Sequence, residues 1–310
     1  MTALTVARAP RRIGDRVFSG LALGAGLLIL LALAAVAVFL VVQSLPALGV
    51  SKADLNNGYS SFWTYVVPLV FGTVWAALIA LVIAVPLSLG IALFISHYAP
   101  RRIARGLGTI IDLLAAVPSV VYGLWGITVL APFVQPFYSV LTQWFGWFPP
   151  FSPPVSGTGR TVLTASVVLA VMVIPIITAL SREIFLQTPR LNEEAALALG
   201  ATRWEMIRMA VLPFGRAGVV SAAMLGLGRA LGETLAVAMV LSPSVVVSFF
   251  LLRSENPTTI AANIALNFPE SFGIGINVLI ATGLVLFVLT FAVNAIARSI
   301  VGARGGGKGL

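Results

Sequence analysis

Cysteine is absent from this sequence, and histidine occurs once, at position 97. The first absence removes disulfides, thiolate metal ligands and cysteine nucleophiles. The second leaves His97 without another imidazole or thiolate to complete a metal site, so it reads as an interfacial residue. Charge is also scarce. Asp, Glu, Lys and Arg make up 9% of the 310 residues, against roughly 25% in a soluble domain. Nineteen basic residues outnumber ten acidic ones for a net charge of +9, yet no basic domain or aromatic-interleaved patch accompanies the excess, which argues against nucleic-acid binding.

What the sequence has in quantity is apolar length. Hydrophobic residues make up 59% of it, and windows of about 20 apolar residues, enough to cross a bilayer core, fall near Val17 to Val42, Val66 to Ile95, Ile110 to Phe133, Val162 to Leu180, Ala217 to Leu241 and Gly273 to Ala297. The expectation is an all-α integral membrane protein with six transmembrane helices. At about 25 residues the first run exceeds a signal-peptide core, and Ser44-Leu45-Pro46-Ala47 is a poor cleavage site, so it should remain as a span.

Basic residues set the expected orientation. Arg8, Arg11, Arg12 and Arg16 precede the first span, and Arg101, Arg102 and Arg105 follow the second. Arg182, Arg190, Arg203, Arg208 and Arg216 lie between the fourth and fifth, and Arg298, Arg304 and Lys308 follow the sixth. The other side holds Lys52, Arg160 and Arg253, so the positive-inside rule makes both termini cytoplasmic, with basic segments at 1–16 and 298–310. Gly302 to Lys308 looks like a phosphate-binding loop, but Gly309 replaces the Ser or Thr that would hold magnesium, and no helix follows to present amides. It is expected to be a basic tail.

A polar interruption at 188–213 separates the fourth and fifth runs. Thr188 can cap a helix, Pro189 suits its first position, Glu193 and Glu194 favour its early turns, and Gly200 stops it. Thr202 and Glu205 form a capping-box pattern that opens a second short helix with Trp204, Ile207, Met209 and Val211 as apolar surface, closed by Pro213. An interfacial helix would carry Lys and Arg along its polar face, whereas this one leads with glutamates and needs a protein partner.

Ionisable groups inside a membrane usually mark a pathway or a partner. In Gly226 to Thr234 (GLGRALGET), Arg229 and Glu233 stand four apart, on one helix face where they can pair, and Gly228 and Gly232 allow close helix approach. One reading is a self-neutralising pair that glues helices. The other is an oxyanion path, in which the guanidinium fork binds the anion, Glu233 moderates the attraction and favours an ion that still carries a proton, and the Thr234 hydroxyl assists. Asp112 is a weaker member, explained as well by pairing with Arg105 or by capping. The segment from Gln135 to Arg160, rich in Phe, Trp and Pro, suits an aromatic belt and a stiff turn. Its alternative is a landing surface for an external binding protein, shared with 43–65 and 242–272.

Glu194-Ala195-Ala196, then Gly200, then Leu212-Pro213 resembles the EAA loop of ABC import permeases, with Ala210 where that pattern has isoleucine. Pro68 to Thr73 (PLVFGT), Pro86 to Tyr98 (PLSLGIALFISHY), Leu114 to Gly126 (LAAVPSVVYGLWG) and Gly226 to Val237 (GLGRALGETLAV) resemble the permeases of the bacterial phosphate-specific ABC importer, the PstC type more than the PstA type. The resemblance implies a type I ABC importer permease fold: a first helix, a five-helix core over 66–297, and a cytoplasmic coupling loop at 188–213. It also implies a bacterial inner-membrane location and a substrate path for phosphate. The partners it implies are a second, PstA-like permease, a PstB-like ATPase dimer that binds ATP and Mg, and an extracytoplasmic PstS-like phosphate-binding protein. The chain itself would hold no cofactor and no catalytic site. A permease for sulfate or molybdate, and a secondary transporter or channel, stay open, although no second copy of the Arg229/Glu233 element occurs in the first half as an inverted repeat would require.

Overall fold

A computed structural model describes residues 13–49 and 61–305. Arg8, Arg11, Arg12, Lys52 and the tail from 306, with Lys308, lie outside the described residues. In chain order the helices are α1 Ile13–Leu48, α2 Phe62–Tyr98, α3 Arg101–Ala115, α4 Ser119–Phe145, α5 Val162–Leu186, α6 Arg190–Ala198, α7 Arg203–Leu231, α8 Leu235–Val240, α9 Ile260–Asn267 and α10 Ile274–Gly305. Two-residue parallel strands, β1 Pro243–Ser244 and β2 Asn256–Pro257, pair between α8 and α9. Among the described residues, α1, α2, α4, α5, α7 and α10 are long and apolar enough to span a membrane.

The bundle is built around α5, whose side chains are buried along most of its length. Its main neighbour is α2. Ala76, Ala80, Ala84, Ser88 and Ala92 recur every fourth residue and are fully buried, and such a small-residue stripe lets two helix backbones approach closely where lipid gives no hydrophobic drive to associate. The Ser88 hydroxyl crosses the seam to donate to the Ile174 carbonyl at 3.2 Å. By contrast α1 runs along α10, tied to it where Asn277 donates to the Gln43 carbonyl at 2.7 Å, and most of its large apolar side chains are exposed.

Two spans are displaced from their expected positions. The third begins at Ser119 rather than Ile110, because α3 is a separate amphipathic helix ended before Pro118, which disfavours helical backbone at Val117. Gly108 of α3 sits against the guanidinium of Arg182 on α5, where a Cβ would come within 2.6 Å of Nη1. Asp112 is exposed on α3 and does not pair with Arg105; the ion pair found among the described residues is His97 with Glu193. The fifth span starts at Arg203 and stops at Leu231, where the sequence suggested 217–241. Leu212-Pro213 therefore lies inside α7 instead of closing a loop. A π turn over 207–211 passes its hydrogen bond from Leu212 to Ile207 just ahead of the proline, which has no N–H to give.

The region 242–272, expected as a surface loop, folds back into the bundle. Gly72 of α2 makes room for it, since a Cβ there would collide with the Thr258 carbonyl. Ile260 N donates to the Thr73 hydroxyl at 2.9 Å and Asn263 donates to the Tyr65 hydroxyl at 2.6 Å. The expected stiff turn after the third span is also shorter. Residues 131–145 are helical, leaving 146–161 as the connection.

Candidate functional site

Two regions carry the sequence-predicted site residues. The first is α6 and its surroundings. The helix begins one residue later than expected: Pro189 occupies the N-cap without a side-chain hydrogen bond, and the Thr188 hydroxyl is buried without a partner instead of capping. Glu193 lies in the first turn, followed by Glu194, Ala195 and Ala196. Gly200 has φ +84°, the left-handed conformation that lets the chain reverse after α6. Thr202 and Glu205 then make the expected capping box, with Thr202 N donating to the Glu205 carboxylate at 2.7 Å.

This turn has a small core of its own. Met206, Ile207 and Val211 pack with Phe185 at the end of α5 and Ala92 of α2, and Ala196 closes over them. Trp204 and Met209, expected as apolar surface with them, point outward and are more than half exposed. α6 is thus seated on three spans, with Leu191, Leu197 and Leu199 presented outward. His97, read as merely interfacial, touches this unit as well: its Nε2 is 3.5 Å from the Glu193 carboxylate, and its Nδ1 is 2.7 Å from the Ser96 hydroxyl.

The second region is the end of α7. Arg229 and Glu233 do not share a helix face and do not pair. The helix stops at Leu231, Gly232 forms its C-cap, and the chain re-enters a helix at α8. The buried Glu233 carboxylate accepts from Ala236 N at 3.1 Å, so it serves the first turn of α8, and the Thr234 hydroxyl donates back to the Gly232 carbonyl at 3.2 Å. Arg229 points the other way. Its Nε is buried without a hydrogen-bond partner, and its side chain lines an open cavity of about 790 Å³ between α5, α7 and α10. Met224, Leu225 and Gly228 line it from the same helix.

The far end of α8 is held by a residue that sequence reasoning placed only as a charge. Arg160 donates from Nη2 to the Met239 and Leu241 carbonyls at 3.2 and 2.9 Å, and from Nε to the Val240 carbonyl at 3.3 Å. The last carbonyls of a helix lack internal partners and carry the negative end of its dipole, so a guanidinium there satisfies both. Asn256 locks the arrangement by donating to the Arg160 carbonyl and accepting from Val162 N, each at 3.0 Å.

Comparison with known proteins agrees with this architecture. Residues 84–302 match the family described as binding-protein-dependent transport system inner membrane component. The phosphate transport system permease protein PstC 2 of Mycobacterium tuberculosis (strain ATCC 25618 / H37Rv) is 45% identical over 95% of this chain and 94% of its own length. The phosphate transport system permease protein PstC of Mesorhizobium japonicum is 38% identical over 92% of this chain and 89% of its own. Among solved structures, a bacterial ABC transporter involved in the import of the acidic polysaccharide alginate aligns with a TM-score of 0.60 at 16% identity, covering 95% of this chain and 97% of that one. The inward-facing MetNI methionine ABC transporter aligns at 0.58 and 18%, covering 77% and 95%. At such identities the likeness concerns the fold.

Proposed function

The chain belongs to the binding-protein-dependent transport system inner membrane component family, and from that premise we propose that it is the PstC-type permease subunit of an ATP-driven phosphate importer. It is a multi-pass membrane protein, a transport component and not an enzyme. In this reading it sits in a bacterial cytoplasmic membrane beside a second permease, above an ATPase dimer that binds ATP and magnesium, and below a phosphate-binding protein. The end bearing α3, α6 and the start of α7 faces the cytoplasm, because Arg101, Arg102, Arg105, Arg190, Arg203 and Arg208 gather there.

The observation that carries the substrate reading is Arg229. An arginine in the membrane region costs about 2.5 to 3.5 kcal/mol even by the mildest scale, and here it has neither a carboxylate nor a hydrogen-bonding neighbour among the described residues. A tetrahedral oxyanion entering the cavity would supply the partner, in the geometry a guanidinium binds best. Glu233 supports the first turn of α8 beyond the break, and Thr234 completes that turn. On the other side, α6 presents Leu191, Leu197 and Leu199 for an ATPase cleft, and its seat on α2, α5 and α7 offers a rigid route from that contact to the spans.

The test is reconstitution. Co-expressed with a PstA-like permease, a PstB-like ATPase and a PstS-like binding protein, the chain should support ATP-dependent phosphate uptake into vesicles that is lost in Arg229→Gln. Uptake of sulfate or molybdate in place of phosphate would move the assignment to that anion, and uptake without ATP would overturn the importer reading.

A further inference from the structure

Arg229 is not alone in its cavity. Asn294 and Arg298, four residues apart and so on one face of α10, line it from the opposite wall. The α7 wall runs from Val220 to Arg229, about 13 Å at the helical rise. As successive spans, α7 and α10 cross the membrane in opposite directions, so Arg298, near the end of α10, lies toward the α6 end of the bundle, while Arg229 lies deeper. Neither guanidinium meets a carboxylate among the described residues. The remaining lining, with Ile176, Leu225 and Ala297, is mostly apolar, and Asn294 and Arg298 are exposed where they face the opening.

We propose that Asn294 and Arg298 form a second anion station that receives the oxyanion from Arg229 on its way toward the α6 end. This rests on the anion-path reading above. A single deep cation would hold an anion too tightly to release it, whereas two stations in sequence let each bind moderately and pass the ion on. The amide of Asn294 suits a partly protonated oxyanion, because its carbonyl accepts the ion's proton while its NH₂ donates to an unprotonated oxygen. The same chemistry would hold the phosphate of an anionic lipid headgroup reaching in through the open side of the cavity.

The test uses the full complex in proteoliposomes, made once with phosphatidylcholine alone and once with added phosphatidylglycerol, and measures uptake of labelled phosphate. Loss of one charge-assisted contact should lower uptake by Arg298→Gln about tenfold or more, equally in both lipids, with assembly checked by co-purification. Wild-type uptake by Arg298→Gln overturns the station while leaving the phosphate reading intact. A defect confined to phosphatidylglycerol vesicles assigns Arg298 to lipid and also overturns it. A wild-type complex that carries no oxyanion overturns both readings. Should Arg298→Gln not assemble, Asn294→Leu carries the same expectation, and unchanged uptake there counts against the station.

Discussion

The imidazole of His97 lies 3.5 Å from the carboxylate of Glu193, joining the last turn of α2 to the first turn of α6. That turn of α2 is a π turn, over 94–98, and the start of α7 on the other side of α6 contains another, over 207–211. Such turns interrupt the regular ladder and often mark functional segments. The helix proposed to meet an ATPase is thus held between two irregular turns and joined by a side-chain contact to a span with which it is not contiguous in sequence.

If this contact carries motion from α6 to α2, His97→Ala and Glu193→Gln should each reduce phosphate transported per ATP hydrolysed, and the double variant should do no worse than either alone. The pair's effect on stability should stay near 1 kcal/mol, the range of partly exposed ion pairs. Additive losses of coupling in the double variant would show that the two residues act separately.

Gly200 gives a second prediction. Nothing lies within 4 Å of a Cβ built there, so a substitution meets backbone strain alone, at φ +84°. Left-handed backbone costs about 1 to 2 kcal/mol for most residues and less for asparagine. Gly200→Val should lower the coupling ratio with little change in expression, and Gly200→Asn should retain most of it. Equal behaviour of the two variants, measured as ATPase stimulation by loaded binding protein, would remove the conformational explanation.

Ile207 is fully buried among Met206, Val211 and Phe185 beneath Ala196. Ile207→Ala should cost about 2 to 4 kcal/mol from lost burial and the cavity left behind. Because this core seats α6, the expected outcome is weakened retention of the ATPase during purification, while Trp204→Ala on the exposed side leaves retention of the other permease unchanged.

Apolar length was legible in the sequence because lipid demands it: each span needs an uninterrupted run, and six runs became six long helices. Their boundaries were less so. Ile110, Ile111, Leu113 and Leu114 belong to amphipathic α3, but in a hydropathy window they merge with the next span. The capping box at Thr202 and the left-handed Gly200 were readable because they depend on residues within a few positions. The break after Leu231 was not. The helix that follows it is held at its far end by Arg160, some 80 residues upstream of the carbonyls it meets, and the four-residue spacing of Arg229 and Glu233 carries geometric meaning only within an unbroken helix. His97 was missed for the same reason, since its partner lies across a turn of the tertiary fold and neither residue has a motif around it.

Arg160 should therefore matter more than an outward-side charge usually does. Arg160→Met leaves three carbonyls at the end of α8 without their donor, and loss of charge-assisted hydrogen bonds of this kind costs about 3 kcal/mol in total. A fall in the thermal midpoint of the detergent-solubilised complex, partly restored in Arg160→Lys, is expected. An unchanged midpoint would mean that β2 and Asn256 hold α8 unaided.

The separation of Arg229 from Glu233 leads to the sharpest prediction. Residues that neutralise each other in a membrane show strong coupling, because removing either strands the other. Here Glu233 accepts from Ala236 N and Arg229 lines the cavity, so the two variants should act independently. Glu233→Gln keeps an amide oxygen that can accept from the same N–H and should retain substantial uptake, while Glu233→Ala loses the cap and about 1 kcal/mol of stability. Arg229→Gln should abolish phosphate uptake in either background with little change in the thermal midpoint, since no hydrogen bond or ion pair among the described residues is lost with it. The measurement is a double-variant cycle with uptake and thermal stability read on all four proteins. If Arg229→Gln destabilises the complex and Glu233→Gln then restores it, the two charges compensate each other in the assembled transporter, and Arg229 is a structural partner rather than the group that meets the anion.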